Sequence, residues 1–204
     1  MKESIKESIW DIISFYQRLK LGKLGKGSKL SLQSRIHGIT KNIFIGNNVM
    51  VGRSATIFCE SSTTSLKIGD RTNVGISVII KCYGGNIKIG NDCSINPFCV
   101  LYGQGGLTIG NCVRISPHTV IVPSNHKFDD PDIPIFKQGL TKKGITIEDD
   151  VWIGAGAKIL DGCIIGKGSV IGAGTVLTKS VKPYSIVVGV PGKVVGQRGE
   201  SKTK

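Results

Sequence analysis

From Ile147 onward, branched apolar residues recur at Ile147, Ile153, Ile159, Ile165, Ile171 and Leu177, six apart without a break. Neither a helix, which repeats every ~3.6 residues, nor a long strand, which alternates every ~2, produces that spacing. Four residues after each comes a small or medium side chain: Val151, Ala157, Cys163, Ser169, Thr175 and Val181. The same register appears in interrupted form at Ile45, Val51 and Ile57; at Ile68, Val74 and Ile80; at Ile89, Ile95 and Leu101; and at Ile109, Ile115 and Ile121. Many of these residues are followed by glycine, as in Ile45-Gly46, Ile68-Gly69, Ile89-Gly90, Ile153-Gly154 and Ile171-Gly172, and Asn or Asp often comes next. Gly, Asn and Asp tolerate left-handed backbone at tight corners. Each hexad therefore reads as a very short strand followed by a corner, and three hexads make one coil. Stacked coils pair as parallel strands about 4.8 Å apart. The irregular turns of a β-sandwich would not hold a six-residue register through six successive hexads. The expected fold is mainly β, a parallel β-helix built as a solenoid.

The coils run over 45–62, 68–85, 89–106, 109–126, 147–164 and 165–182. Short gaps between them read as bulged corners, whereas residues 127–146 are one long excursion, the kind of insertion that carries function in a solenoid. Residues 2–20 place Ile5, Ile9, Ile12, Ile13, Tyr16 and Leu19 at helical spacing. This predicts an amphipathic helix that caps the first coil, with association at a membrane surface as the other use of such a helix. The expected organisation is a helix and basic linker over 1–40, a β-helix domain over 41–195 and a disordered polar tail over 196–204.

Composition fits this picture. Glycine accounts for 28 of 204 residues, roughly twice the usual share of about 7%, which is what a chain turning a corner every few residues needs. The six cysteines form no CxxC pair, so a disulfide framework or zinc knuckle is not expected, and they read as small buried hydrophobes. No apolar stretch approaches the ~20 residues of a membrane span. Glu3, Lys6, Glu7 and Asp11 break up what would be a signal peptide, so the expected location is cytoplasmic. The net charge is +13. No aromatic platform or helix-turn-helix accompanies it, so nucleic acid is not the expected partner.

Several segments carry a resemblance. Ser124-Asn125-His126 stands directly before the excursion, and Val151-Trp152-Ile153-Gly154-Ala155-Gly156 opens the unbroken repeats. Ile171-Gly172-Ala173-Gly174, Val176-Leu177-Thr178-Lys179 and Gly189-Val190-Pro191-Gly192-Lys193 follow. With these the chain resembles the hexapeptide-repeat acyltransferases, and among them the sugar O-acetyltransferases of maltose/galactoside type and those that modify capsule or lipopolysaccharide. The resemblance implies a left-handed β-helix, acetyl-CoA as acyl donor, a saccharide acceptor, a homotrimer with sites between subunits, and no metal. It also implies the roles of particular residues. His126 would be the general base, since imidazole is the side chain that exchanges protons near neutrality. Asn96, Gln104 and Asn125 would meet the acceptor, although Gln104 stands where galactoside-type enzymes carry an acid. Trp152, Gly154, Ala155, Ala173, Thr178, Lys179, Pro191 and Lys193 would line the coenzyme. Lys193 replaces the Arg of many relatives, giving a point charge in place of a bidentate fork.

By register, His126 ends the third hexad of its coil and Trp152 ends the first hexad of the next, so they fall at different corners of one prism. A site using both would be shared between chains. Within acyl transfer the alternative is N-acetylation of a nucleotide-linked amino sugar or of a xenobiotic. A carbonic-anhydrase-like solenoid would need three converging His, and a non-catalytic scaffold would show a more uniform face.

Overall fold

The computed structural model describes residues 19–200. The expected N-terminal helix over 2–20 therefore lies almost wholly outside the described residues. Among those described, no helix is long and apolar enough to cross a membrane.

Three sheets of seven, nine and seven strands, parallel except for the last strand of the second, wrap into a three-sided solenoid in which successive coils return to the same faces. Coil 1 spans 23–38, coil 2 43–59, coil 3 66–81, coil 4 87–102, coil 5 107–122, coil 6 145–160 and coil 7 164–177. A partial coil 8 follows with Val181, bridged to Ile165, and the strand Ser185–Val188. The register is the one the hexads announce. Ile45 pairs with Ile68, Ile68 with Ile89, Ile89 with Ile109, Ile109 with Ile147, and Ile147 with Ile165. The second face stacks Val51, Val74, Ile95, Ile115, Ile153 and Ile171 in the same way. All of these side chains point inward, and together with their third-face counterparts they form one continuous buried column. The small positions are inside as well, with Val49, Ala55, Val78, Cys93, Cys99, Val113, Val151, Ala157 and Cys163 all buried. β-branched side chains suit this arrangement because they pack stiffly on a pleated strand of only two or three residues.

Both ends of the solenoid extend past the expected boundaries. Leu24, Leu30 and Ile36 lie six apart, and the strands Lys23–Leu24, Lys29–Leu30 and Arg35–Gly38 pair in parallel with coil 2. The basic segment expected to be a linker is thus coil 1. At the other end, Lys193–Gln197 turns back antiparallel onto Ser185–Val188, and Arg198 forms an ion pair with Asp150 at 2.7 Å. Chain expected to be tail is therefore ordered up to this contact.

The corners follow a rule different from the one expected. Left-handed backbone occurs three residues after the inward residue, and the side chain there is often not glycine: Asn48, Ser54, Arg71, Ser77, Asp92, Phe98, Cys112, His118 and Asp150 all have φ between 54° and 63°. The glycine directly after the inward residue serves a different purpose. A Cβ on Gly69 would stand 2.6 Å from the carbonyl carbon of Gly90 in the next coil, and one on Gly154 would stand 2.5 Å from the amide nitrogen of Ala173. Close approach of successive coils requires glycine there, with no conformational demand. The Asn or Asp that follows has its own task. Each side chain accepts the backbone amide of the corresponding corner one coil earlier, in the series Lys26 to Asn47 (2.9 Å), Asn47 to Asp70 (2.7 Å), Asp70 to Asn91 (2.8 Å), Asn91 to Asn111 (2.9 Å) and Asn111 to Asp149 (2.6 Å). This ladder ties coils 1 to 6 along one edge and satisfies amides that no sheet bond reaches.

All six cysteines are free thiols. Five are buried as expected, but Cys112 occupies a left-handed corner and is exposed. Burial pushes the Cys93, Cys99 and Cys163 thiols up, and raises Cys82 furthest.

Candidate functional site

The residues singled out from the sequence fall on two different edges of the prism. His126 follows the third-face strand of coil 5, Val120–Val122, at the edge where the chain turns toward the first face. There the chain leaves the solenoid. Asn125 and His126 form a short strand paired antiparallel with Leu140 and Thr141, so the excursion is a hairpin rooted at the solenoid edge. The amide of Lys127 donates to the Gly139 carbonyl at 3.0 Å, extending the hairpin past His126. Both His126 and Asn125 are exposed, whereas Ser124 just before them is buried. The imidazole is thus held on regular backbone yet open to solvent and ligand.

Gln104 occupies the same edge one coil earlier. Its Oε1 is buried without a hydrogen-bond partner. Neighbouring Gly105 packs against the root of the hairpin, where a Cβ would stand 2.7 Å from the Gly144 nitrogen and 2.9 Å from the Lys142 carbonyl carbon. Buried acceptors without donors are uncommon in folded proteins. Thr178 and Lys179 leave the third face at this edge two coils later and are exposed.

Beyond its root the excursion is organised by its own side chains. Gln138 accepts the Asp130 amide at 3.1 Å and donates to the carbonyls of Asp130 and Ile133, both at 2.7 Å. Phe128 and Phe136 stand 70% and 75% exposed on this hairpin. Rings this open on an ordered hairpin are available to a ligand or to a second protein surface.

The other group lies on the edge between the second and third faces. Asn96 stands there in coil 4, Ala155 after Gly154 in coil 6, Ala173 in coil 7, and Pro191 beyond the strand of coil 8. Asn96 occupies the position after the inward residue that glycine fills in coils 2, 3, 6 and 7 (Gly52, Gly75, Gly154 and Gly172) and Ser116 fills in coil 5. Its Nδ2 donates to the Ile115 carbonyl at 2.8 Å. Ala155 and Ala173 are both exposed, with small side chains on this edge. Trp152 does not sit at a corner as its register suggested. It opens the second-face strand Trp152–Ile153 with its ring outside, 54% exposed, and its indole N–H donates to Ser116 Oγ at 3.2 Å. Lys193 pairs opposite Val188 in the antiparallel return strand beside this edge.

One chain therefore brings together Asn96, Gly154, Ala155, Ala173 and Pro191 along one edge, flanked by Trp152 and Lys193. It brings Gln104, Asn125, His126, Thr178 and Lys179 together along another. The third face separates the two groups. The three histidines are likewise apart: His37 stacks on Phe58 on the third face of coil 1 (centroids 4.5 Å), and His118 stacks on Phe98 at the second-to-third edge (5.1 Å). Among the described residues no group of three or more His, Cys, Asp or Glu side chains converges.

Sequence reasoning missed Ser116, which holds the indole, and two residues at the root of the hairpin, Thr141 and Asp161. Thr141 Oγ1 donates to Asp161 Oδ2 at 2.8 Å. Ser116 lies two residues before the left-handed corner at His118, a detectable position, but nothing local marks Asp161 as a partner for a segment twenty residues earlier.

Fold and repeats together define a hexapeptide-repeat β-solenoid. Residues 144–179 match the bacterial transferase hexapeptide family model (six repeats). Curated relatives include a Mycobacterium tuberculosis protein, 31% identical over 74% of this chain and 50% of its own length. A Schizosaccharomyces pombe protein is 38% identical over 55% of this chain and 54% of its own length. Both are provisionally named acetyltransferases, and the chain spans about half the length of each. Among solved structures, a single-residue mutant of AntD, an N-acyltransferase from Bacillus cereus in complex with dTDP-4-amino-4,6-dideoxyglucose and coenzyme A, superimposes with a TM-score of 0.64 at 21% identity, covering 91% of this chain and 89% of that one. AntD in complex with dTDP and 3-hydroxybutyryl-CoA gives 0.62 at 20% identity over 90% and 87%. These likenesses show the fold.

Proposed function

We propose that this chain is an acetyl-CoA-dependent O-acetyltransferase acting on a saccharide hydroxyl, as in cell-surface polysaccharide synthesis, with His126 as general base. The observation that carries the reading is the placement of His126: an exposed imidazole held by a paired hairpin where the chain leaves the solenoid between coils 5 and 6. Acetyltransferase names among the curated relatives support the reaction class.

His126 removes the proton from the acceptor hydroxyl as that oxygen attacks the thioester carbonyl carbon. The resulting oxyanion is stabilised by backbone amides and neighbouring polar groups. Its collapse breaks the carbon–sulfur bond, and the imidazolium returns the proton to the departing thiolate. Transfer is direct, with no acyl-enzyme. Gln104 and Asn125, beside His126, hold the acceptor along with Asn96. The other edge suits the coenzyme: the exposed Ala155 and Ala173 leave room for a pantetheine arm, Gly154 offers backbone beside them, Trp152 borders the acetyl end, Pro191 borders the adenine, and Lys193 meets phosphate. Thr178 and Lys179 lie on the His126 edge of the same chain, so they would meet the coenzyme from across the cleft. Because the two groups lie on different edges, a complete site joins one edge of one subunit to the other edge of its neighbour, and a homotrimer closes three such sites.

The test is release of coenzyme A thiol from acetyl-CoA over a panel of neutral, acidic and amino sugars, with wild type and His126→Ala. General-base assistance is worth roughly 10²–10⁴ in rate, so His126→Ala is expected to lose at least about 10²-fold in kcat. A variant retaining most of its activity overturns the assignment. Turnover confined to amino sugars selects N-acetylation in place of O-acetylation.

A further inference from the structure

The hairpin that carries His126 leaves the solenoid after coil 5 and re-enters at coil 6. Two strand pairs and its own tip contacts would not by themselves fix where its root lies, since an isolated two-stranded hairpin is marginal in water. The root is held by one side chain. Asp161, at the edge of coil 6 directly after the strand Lys158–Leu160, accepts three hydrogen bonds from the returning limb: Thr141 Oγ1 (2.8 Å) and the Lys143 amide (3.1 Å) on Oδ2, and the Gly144 amide (2.9 Å) on Oδ1. The next residue continues the junction, with the Gly162 amide donating to the Gly144 carbonyl at 2.9 Å. Thr141, which Asp161 grips, is the residue paired with Asn125, and Leu140 beside it is paired with His126.

We infer that Asp161 is a positioning residue for His126, acting through Thr141 and the hairpin ladder to fix where the imidazole stands relative to the solenoid edge. This rests on the general-base reading of His126. The donor set calls for a carboxylate. Three donors converge on two oxygens, and an asparagine would turn an amide N–H toward one of them. Asp161 makes no contact with His126 itself, so its effect is one of geometry. Misplacing a reacting group by about 1 Å costs on the order of 10²-fold in rate.

Two readouts test this. The first needs no acceptor: the 15N ring resonances of His126 and the exchange rate of the Lys127 amide, compared in wild type, Asp161→Ala, Thr141→Val and Thr141→Ser. Asp161→Ala and Thr141→Val are expected to broaden or split the His126 resonances and to speed Lys127 exchange. Thr141→Ser, which keeps the hydroxyl, is expected to match wild type. The second readout is thiol release with the panel sugar that turns over fastest. There Asp161→Ala is expected to lower kcat about 10²-fold while leaving KM for acetyl-CoA within two-fold of wild type, because the residues assigned to the coenzyme chiefly lie on the other edge. A purely structural defect would instead move KM and thermal stability together with kcat. Unchanged His126 resonances and unchanged kcat in Asp161→Ala overturn the inference even if His126→Ala is inactive. If His126→Ala stays active, the general-base reading falls, and any change in its ring signal on removing Asp161 then reports only how the hairpin is held.

Discussion

The most discriminating test of how this solenoid is built compares a glycine of its third coil with one in the corner that follows it. Gly69 follows the inward residue Ile68 and has ordinary backbone, whereas Gly84 has φ +83° at the edge after Lys81. In Gly69→Ala the new Cβ would stand 2.6 Å from the carbonyl carbon and oxygen of Gly90, about 0.8 Å inside ordinary contact at 3.4 Å. That backbone cannot yield freely, because the strand before it is paired on both sides, Ile89 with Ile68 and with Ile109. The same Cβ also meets Asn91 Oδ1, which accepts the Asp70 amide at 2.8 Å in the corner ladder. Overpacking against fixed structure costs typically about 1–3 kcal/mol, and loss of a hydrogen bond about 1 kcal/mol more, so Gly69→Ala is expected to destabilise by about 2–4 kcal/mol. In Gly84→Ala the Cβ meets nothing within 4 Å. Its cost is the left-handed strain alone, about 1–2 kcal/mol, reduced by the lower entropy of the unfolded Ala chain, worth about 0.4–1 kcal/mol. Urea unfolding at one fixed protein concentration, followed by far-UV circular dichroism, measures both. If Gly84→Ala costs as much as Gly69→Ala or more, glycine in the doublets serves conformational freedom and the close-approach argument fails.

Other expectations follow from the same geometry. Native protein treated with a thiol reagent should modify one cysteine, Cys112, rapidly, and the remaining five only on unfolding; fast reaction of a second thiol would contradict the burial of the core column. The Asn47 amide and side chain hold the Asp70 carboxyl below its usual range, and Arg71 does the same for Asp92. Because both carboxyls are depressed in the folded state, their contribution to stability is present above the unfolded value of about 3.9 and lost as pH falls through the folded values. Thermal stability should therefore fall below about pH 4, less steeply in Asp70→Asn; an identical acid profile in that variant would refute the linkage. Truncating the inward residue Ile115→Ala, wholly surrounded in coil 5, should cost about 2–5 kcal/mol in the same urea experiment, and a cost under about 1 kcal/mol would mean the column is not close-packed.

The spacing of apolar residues was enough to specify the solenoid, because in a three-sided coil each hexad must turn one large apolar residue and one small one into a shared axis. Ile147 through Leu177 could hardly be read otherwise. Coil 1 obeys the same rule with Leu24, Leu30 and Ile36, but its lysines and scattered glycines look like a linker until the strands are seen to pair. The position of His126 at the root of the excursion was also legible, since an interruption of the register is visible in the chain itself. What the sequence did not disclose is which of two jobs a corner residue performs. Glycine after the inward residue and the left-handed residue two places later are separate requirements, one imposed by the coil stacked above and the other by the turn. Likewise Asp161, Thr141 and Ser116 acquire their partners only when residues about 20 to 40 positions apart are stacked by the coils. Local pattern determined the repeat because each hexad buries its own apolar residue. The tertiary structure alone decided which edges carry His126 and the small residues Ala155 and Ala173, because those edges exist only once the coils are wound.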